Sequence, residues 1–295
     1  MNSIIDDIRT AFSRRDNALN QLLLINILVF VTLILLRTIL WLTQVPYFSL
    51  IMTWLALPSE PMLLLRRPWT LFTYFFTHRE WLHIIFNMLN LYWFGLIIRE
   101  YLGSKKLISL YILGGLCGAI LYLIFYNFVP YFIQRGPAEM IGASGSILAI
   151  IVAAATLLPD YSFNLLLFGP VKIKYIAAFL ILLSVSGAIG DNAGGNIAHL
   201  GGALLGYIYI KQLKNGSDLG RPIHAFWDFI TGIFTRRSRM KVSYKSTAAP
   251  SFRAAAVGKP SQNEIDLILD KISKSGYESL SKEEKQKLFR ASQKE

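Results

Sequence analysis

Two side chains capable of nucleophilic attack and proton transfer, Ser144 and His199, occur in stretches of sequence that are otherwise apolar. Ser144 follows Gly142 and Ala143 at the start of one apolar run, and His199 lies near the start of another. An imidazole beside a hydroxyl can take its proton, which is the chemistry that acyl transfer requires. At the start of a helix, free backbone N–H groups would stabilise a developing oxyanion. The sequence therefore predicts a Ser–His dyad, with Ser144 as the nucleophile and His199 as its base.

A second polar pair, His83 and Asn87, begins another apolar run. Their spacing of four residues places both on one helix face. They are either oxyanion donors or a polar clamp between helices. Asparagine is a poor transition-metal ligand and no acidic or cysteine partner completes a site, so no metal is predicted, and no feature demands a cofactor. Glu100 lies at the other end of that run and Asp191 lies in a loop, so no carboxylate is predicted as a third member.

Small residues follow both members of the predicted dyad. The glycines assigned to helix packing around the site are Gly142, Gly145, Gly202 and Gly206. Gly202 and Gly206 come three and seven residues after His199, on nearly the same helix face, and a matching small stripe begins beside Ser144. Such stripes let membrane helices approach closely. Taken alone the cluster around Ser144 fits helix packing; together with His199 it predicts contact between the fourth and sixth apolar helices.

The composition excludes an ordinary soluble domain. Of 295 residues, 54% are hydrophobic and only 16% are charged, the mean hydropathy is +0.44, and the apolar runs reach membrane-spanning length. We predict an all-α polytopic protein with six spans, at about 22–42, 81–98, 107–128, 144–158, 175–190 and 196–213. The fourth and sixth spans are short and begin with polar residues, which indicates a water-filled depression above them. The loop at 43–80 is apolar enough to be partly sunk in the membrane interface.

The charge pattern predicts an orientation. The net charge is +12, and many basic residues lie in short loops or beyond the last span. The positive-inside rule then places both termini in the cytoplasm of a bacterial cell, with the site opening outward from the cytoplasmic membrane. In that topology the starts of the second, fourth and sixth spans share one layer, where the four polar site residues meet. The basic charge is not accompanied by a nucleic-acid recognition motif and is interpreted as a lipid-facing anchor.

The tail beyond the spans has its own organisation. The segments are an N-terminal cytoplasmic segment 1–21, a membrane domain 22–213, an interfacial helix with a basic juxtamembrane segment 214–245, a linker 246–262, and a C-terminal helical module 263–295. In the module, Ser281 and Glu284 have capping-box spacing at the start of a second helix. The module is predicted to dock either on an unidentified partner or on the body of the protein.

The order of these motifs resembles the rhomboid family of intramembrane serine proteases over about residues 69–210. The shared elements are Thr73-Tyr74, His83-x-x-x-Asn87, Glu100 with Leu102-Gly103, Gly142-x-Ser144-Gly145, and Ala198-His199-x-x-Gly202-x-x-x-Gly206. The resemblance implies a six-helix core, a water-filled cavity, and single-span membrane proteins with a locally unstable helix as substrates. The alternative is a catalytically inactive rhomboid-like protein that binds membrane clients.

Two positions depart from the family pattern. Many members have Trp-Arg in the first outer loop, whereas here Trp69 is followed by Thr70. Many have an aromatic residue four positions after the serine, packed on the histidine, whereas here that residue is Leu148. The first change is expected to affect docking of the loop, and the second to loosen the orientation of His199.

Overall fold

The computed structural model describes residues 17–165, 169–234 and 261–292. The chain divides into two compact units, one up to Arg236 and one from Arg237 onward. The expectations for residues 1–16, for the basic run after Phe234 and for most of the linker lie outside the described residues.

The first unit is built from helices. Six long or apolar helices make up the bundle: α1 Ala18–Leu42, α5 Trp81–Leu102, α6 Ser104–Phe128, α8 Ser144–Leu157, α9 Ile173–Gly187 and α10 Ala193–Lys214. Three of these, α1, α5 and α6, are long and apolar enough to cross a membrane by length and composition, and α8 and α9 are shorter apolar helices. The prediction of an all-α polytopic membrane protein is confirmed.

Helix α8 is the centre of the bundle and carries Ser144 at its first position. Its 14 residues span about 21 Å at 1.5 Å per residue, less than the roughly 30 Å hydrocarbon core. The helix is buried continuously from Gly145 to Ala155, against α10, α6, α5 and α9. A short helix enclosed by longer ones places its polar start below the membrane surface but inside protein.

Glycines allow α10 to cross α8 and α6 with the backbones in contact. A Cβ atom on Gly202 would lie 2.0 Å from the carbonyl oxygen of Gly145, and one on Gly206 would lie 2.2 Å from that of Ala149. On the other side, a Cβ on Gly201 would lie 2.7 Å from the carbonyl oxygen of Cys117. Any larger side chain would therefore push the helices apart, and the glycines fix the spacing between them.

The segment predicted as a loop at 43–80 contains several short helices. They are α2 Phe48–Leu55, α3 Pro61–Arg66, α4 Thr70–Thr73 and a 3₁₀ turn Tyr74–Phe76. Strand β1 Leu57–Pro58 pairs antiparallel with β2 Glu139–Met140, just before the serine loop, and α7 Pro130–Gln134 precedes β2. Such short helices lack the periodicity that marks long ones, because docking on the bundle rather than amphipathicity stabilises them.

Aromatic and cationic contacts hold this segment near Thr70, the residue that departs from the family pattern. The rings of Trp54 and Trp69 stack at 5.5 Å, and Trp69 Nε1 donates to the carbonyl of Trp54 at 2.9 Å. The Arg67 guanidinium lies 5.0 Å from the centre of the Trp54 ring and donates to the carbonyl of Thr53 at 3.1 Å. Thr70 is fully buried and donates to the carbonyl of Arg67 at 2.7 Å. The segment thus docks through Arg67 and Trp69, with Thr70 inside the turn.

At the other end of the bundle, α11 Arg221–Phe234 follows the last span. It is joined to the start of α6 by a polar cluster. His224 Nε2 lies 2.8 Å from Ser109 Oγ and 3.1 Å from the Lys105 carbonyl, and its Nδ1 lies 3.7 Å from Asp218. Asp218 also pairs with Lys106 and accepts from the backbone N–H of Gly220 at 2.8 Å. A hairpin of β3 Ser162–Leu165 and β4 Gly169–Lys172 connects α8 to α9 at this end.

The second unit is a helix pair, α12 Gln262–Ser275 and α13 Lys282–Ser292, joined by a 3₁₀ turn Tyr277–Ser279. Both helices begin with a capping box, Ser261 with Glu264 and Ser281 with Glu284. Ion pairs Lys271–Glu284 at 2.9 Å and Lys287–Glu264 at 2.7 Å connect the two helices. The predicted capping box at Ser281 is confirmed.

Candidate active site

Ser144 and His199 are brought together by the crossing of α8 and α10. His199 Nε2 lies 2.7 Å from Ser144 Oγ, a normal hydrogen-bond distance. Ser144 is the first residue of α8, so its backbone N–H has no partner within the helix. His199 lies in the second turn of α10, three residues before the Gly202 contact with Gly145. The glycine crossing therefore sets the distance between hydroxyl and imidazole.

Gly142 shapes the loop that leads into α8. Its φ of +121° is a conformation that side-chain-bearing residues rarely adopt. Its N–H donates to the carbonyl of Tyr74 at 2.9 Å, which ties the serine loop to the 3₁₀ turn. A Cβ atom here would lie 2.7 Å from the His83 ring and 3.8 Å from Ser144 Oγ. Gly142 thus allows His83 and Ser144 to approach from two sides.

Asn87 and His83 lie in the first turns of α5, beside the serine loop. Asn87 is 6% exposed, and its Nδ2 donates to His78 Nε2 at 3.0 Å. The backbone N–H of Ala143 donates to the same nitrogen at 3.4 Å. The rings of His78 and His83 pack edge to face at 5.1 Å. One amide N–H of Asn87 is therefore engaged by His78, and the amide carries a second that this bond does not use.

Sequence reasoning missed His78 and Ser184. His78 precedes α5 in an irregular segment, where helical spacing gives no information about its partners. Ser184 lies in the apolar α9, is 3% exposed, and places its Oγ 3.1 Å from His199 Nδ1. Serines in membrane helices commonly bond only to their own backbone, so nothing in the sequence distinguishes this one.

Among the residues the structure describes, no Asp or Glu is hydrogen bonded to His199. Asp191 lines a nearby cavity, and Glu100 is exposed near the far end of α5. Leu148, where an aromatic residue was expected from the family, is buried in the hydrophobic core. The imidazole of His199 is hydrogen bonded on both sides to serine hydroxyls, Ser144 at Nε2 and Ser184 at Nδ1.

A cavity of about 490 Å³ opens beside His83. Its apolar and polar lining includes His83, Tyr122, Tyr126, Met140, Asn192 and Gly195. It lies between the start of α5, strand β2 and the start of α10, and its lining includes His83 but neither Ser144 nor His199. The candidate site itself consists of a hydroxyl at a helix start, a hydrogen-bonded imidazole and nearby N–H donors.

These features define a helical membrane protein with a hydrogen-bonded serine–histidine pair at the start of a buried helix. The rhomboid domain family matches residues 65–215, about half of the chain, and the chain belongs to this family. The resemblance inferred from the sequence motifs is thereby confirmed. A separate family of unknown function, DUF6576, matches residues 259–294, the region of the helix pair.

Individual relatives show the same likeness. RHOMBOID-like protein 12, mitochondrial, of Arabidopsis thaliana is 31% identical over 159 residues, which is 50% of this chain and 47% of the relative. Presenilin-associated rhomboid-like protein A, mitochondrial, of Danio rerio is 30% identical, over 52% of this chain and 39% of the relative. Rhomboid protease GlpG of Salmonella newport is 38% identical over 66 residues, 22% of this chain and 24% of the relative. The chain spans about half or less of the length of these relatives.

The predicted bacterial cytoplasmic membrane is wrong. The relatives that match about half of the chain are mitochondrial or, in another Arabidopsis rhomboid-like protein, chloroplastic, and they point to an organellar membrane. The assignment of both termini to a bacterial cytoplasm falls with it. The error has a physical cause: hydropathy and basic loops report that a helix spans a bilayer, but they do not report which membrane contains it.

Proposed function

We propose that this protein is an intramembrane serine endopeptidase that hydrolyses peptide bonds in or near the membrane-spanning helices of other proteins. The observation that carries the proposal is the 2.7 Å separation of Ser144 Oγ and His199 Nε2 at the start of a buried helix. Family membership supports it, since the relatives include a protein named as a rhomboid protease. No carboxylate is required by the proposal, so the catalytic pair is a dyad.

In the first half of the reaction, His199 Nε2 takes the proton of Ser144 as Oγ attacks the substrate carbonyl carbon. A C–O bond forms, and the π electrons of the carbonyl move onto its oxygen. When the tetrahedral intermediate collapses, the C–N bond breaks and the imidazolium gives its proton to the leaving amine. The products of this half are the released amine segment and an ester on Ser144.

The charge on the tetrahedral oxygen requires donors that are already in place. We assign the backbone N–H of Ser144, the second N–H of Asn87 Nδ2 and the ring of His83 to this role. His78 accepts the other N–H of Asn87 and thereby fixes the amide plane. Gly142 provides the space between His83 and Ser144.

In the second half, a water molecule loses a proton to His199 and attacks the ester carbonyl. The C–O bond to Ser144 breaks, the protonated imidazole returns a proton to Oγ, and a carboxylic acid leaves. We assign the cavity beside His83 as the path by which water reaches the site, because its lining includes polar side chains. One turnover consumes one water and leaves the enzyme unchanged.

Single-span membrane proteins with a locally unstable helix are the proposed substrates, because an unwound segment presents a free carbonyl at the site. Membership of the rhomboid family supports membrane proteins as the substrate class. The partner of the C-terminal helix pair stays a prediction without a candidate.

The test is cleavage of a fluorescent single-span substrate by the purified full chain in liposomes, comparing wild type, Ser144→Ala and His199→Ala. We expect cleavage by wild type alone, at least about 10³-fold above either variant. The matched control is Ser146→Ala, two residues along α8, whose buried hydroxyl has no hydrogen-bond partner among the residues that the structure describes. This control should cleave at the wild-type rate.

Equal cleavage by all variants would contradict the assignment of the dyad. If wild type does not cut, a fluorophosphonate probe that labels reactive serines decides the matter. Labelling that is lost in Ser144→Ala would support an active enzyme with a narrow substrate requirement. No labelling would contradict the proposal and favour a protein that binds membrane clients without cleaving them.

A further inference from the structure

We propose that Ser184 is a positioning residue that selects the tautomer of His199 competent to act as a base. The inference rests on the proposed function and concerns a residue on α9, a different helix from either member of the dyad. The hydrogen-bond partners of Ser184, His199 and Ser144 determine which atom of each side chain carries a hydrogen.

The hydroxyl of Ser184 has one proton and two neighbours. Its Oγ lies 2.9 Å from the carbonyl oxygen of Leu180 and 3.1 Å from His199 Nδ1. A carbonyl oxygen can only accept, so the contact with Leu180 requires the hydroxyl proton. With its proton committed, Ser184 Oγ can only accept from His199, and Nδ1 must therefore carry a hydrogen.

A neutral imidazole has one N–H, so a proton on Nδ1 leaves Nε2 free. Nε2 is the nitrogen that faces Ser144 Oγ at 2.7 Å, and it can then accept the serine proton. In the opposite tautomer, Nε2–H would point at the nucleophile and could not deprotonate it. Ser184 would also have to give up its bond to Leu180, in a place where it is only 3% exposed and water is scarce.

The bond also survives the proton transfer. Imidazolium carries hydrogen on both nitrogens, and Ser184 Oγ remains an acceptor for Nδ1–H throughout. The part that a buried carboxylate plays in a catalytic triad, holding the ring in one tautomer and orientation, is here given to a neutral hydroxyl. A neutral acceptor avoids burying a charge in the membrane, where an unpaired carboxylate is costly.

The first test reads the tautomer directly, without substrate. The chain contains four histidines, so ring ¹⁵N–¹H correlation spectra of ¹⁵N-histidine-labelled protein in micelles can be assigned with a His199→Ala reference. We expect Nδ1–H at His199 in wild type and in Ser184→Thr, which keeps the hydroxyl. In Ser184→Ala we expect Nε2–H or a mixture. The matched control is Ser186→Ala, the same change on an exposed position of α9.

The second test is kinetic. Ser184→Ala should lower kcat about 10- to 100-fold, a part of the general-base contribution, with little change in KM. Ser184→Thr should restore most of the rate and Ser186→Ala should leave it unchanged, at equal thermal stability. Nε2–H in wild type, or Ser184→Ala with wild-type tautomer and kcat, would overturn the proposal. If no variant cleaves any substrate, the proposed function fails while the spectra still decide the role of Ser184.

Discussion

Two serine–histidine pairs lie at opposite ends of the same bundle. Ser144 and His199 are 2.7 Å apart, and Ser109 and His224 are 2.8 Å apart. Within the described part of the chain, an acid is recorded beside the second pair alone, with Asp218 Oδ2 at 3.7 Å from His224 Nδ1. By residue types and distances alone, the second cluster is the closer match to a Ser–His–Asp triad. The comparison shows why such an inventory does not define an active site.

The difference lies in the protons and in access. Ser109 is fully buried within α6 and donates its proton to the carbonyl of Lys105 at 3.0 Å. His224 Nε2 also contacts that carbonyl, so this nitrogen is the donor toward Ser109 and not a base. Ser144, by contrast, begins a helix, and its Oγ has no carbonyl partner among the described residues. A nucleophile needs an unprotonated partner nitrogen and access to substrate. The proposed tautomer of His199 supplies such a nitrogen, and Ser144 is partly exposed whereas Ser109 is fully buried.

Deleting each imidazole should have very different effects at the two pairs. His199→Ala should reduce cleavage at least about 10³-fold, because the serine loses its base. His224→Ala should leave the rate near that of wild type, since no reacting atom contacts it. Both rates are measured on the same single-span substrate in liposomes. Loss of cleavage in His224→Ala, at unchanged thermal stability, would show that the second pair takes part in the chemistry.

Asn87, proposed as an oxyanion donor beside the first pair, should have the next largest effect on cleavage. Asn87→Ala should lower kcat about 10²- to 10³-fold, the usual consequence of losing one oxyanion donor. KM should change little, because the bond strengthens as the charge develops. The control is Asn90→Ala on the same helix, whose amide donates to the carbonyl of Phe86 instead. Equal effects of the two substitutions would contradict the assignment of Asn87.

A glycine lies in close contact near each pair, Gly202 near the first and Gly220 near the second, and alanine at the two positions should have different effects. Gly202→Ala drives a Cβ into the carbonyl of Gly145, which cannot move without separating α8 and α10. We expect a loss of about 1–3 kcal/mol in the free energy of unfolding and loss of cleavage. A Cβ on Gly220 would meet the hydroxyls of Ser109 and Tyr209 at 2.6 and 2.7 Å and Ser109 Cβ at 2.8 Å. These nearest contacts are side-chain atoms rather than the backbone of a crossing helix, so stability in a detergent melt and activity should change less than in Gly202→Ala.

Asp218, the acid beside the second pair, should make only a small contribution to stability. Burial raises the pKa of Asp218, but hydrogen bonds from Lys106 and the Gly220 N–H outweigh it and hold this pKa below its usual range. Because the folded-state pKa is depressed, the stabilisation is present at neutral pH and is lost as pH falls through that lowered value. We expect Asp218→Asn to cost at most about 1 kcal/mol, as for other partly exposed ion pairs.

The measurement for Asp218 is hydrogen exchange in α11 between pH 7 and pH 3. Wild type should lose protection at the acid end, after correction for intrinsic exchange rates, and Asp218→Asn should already be less protected at pH 7. Identical protection at both pH values in both proteins would show that Asp218 does not hold α11. Cleavage should be the same in both proteins at pH 7, which separates this role from catalysis.

The fold, which is confirmed, and the four polar residues proposed for the site could be predicted from the sequence because their signals are local. Span length and hydropathy mark a membrane helix, and an ionisable residue inside a span is rare enough to be informative. The roles proposed for Ser144 and His199 followed from their residue types and from their positions near the starts of apolar runs. The distance between the Ser144 hydroxyl and the His199 imidazole could not be predicted in the same way. It depends on the register and the rotation with which α8 and α10 cross at their glycines.

The missed residues have signals that are not local. Ser184 is one serine in an apolar helix, and only the rotation of α9 directs it at His199. His78 lies in an irregular segment whose path depends on docking against the serine loop. The cluster around Asp218 joins residues more than 100 positions apart, from Ser109 to His224. Short helices such as α2 are similarly set by tertiary contacts, which a hydropathy pattern does not encode.

The length of α8 has a consequence for how the protein is made. A helix of 14 residues that begins with Ser144 and is rich in alanine is well short of the roughly 20 apolar residues that insert as an independent span. Helix α9, at 15 residues, is short as well. Neither can be stable in lipid before its longer neighbours α6 and α10 have entered the bilayer. The serine and histidine therefore meet only when insertion is nearly complete, so half-inserted chains during biogenesis carry no assembled site.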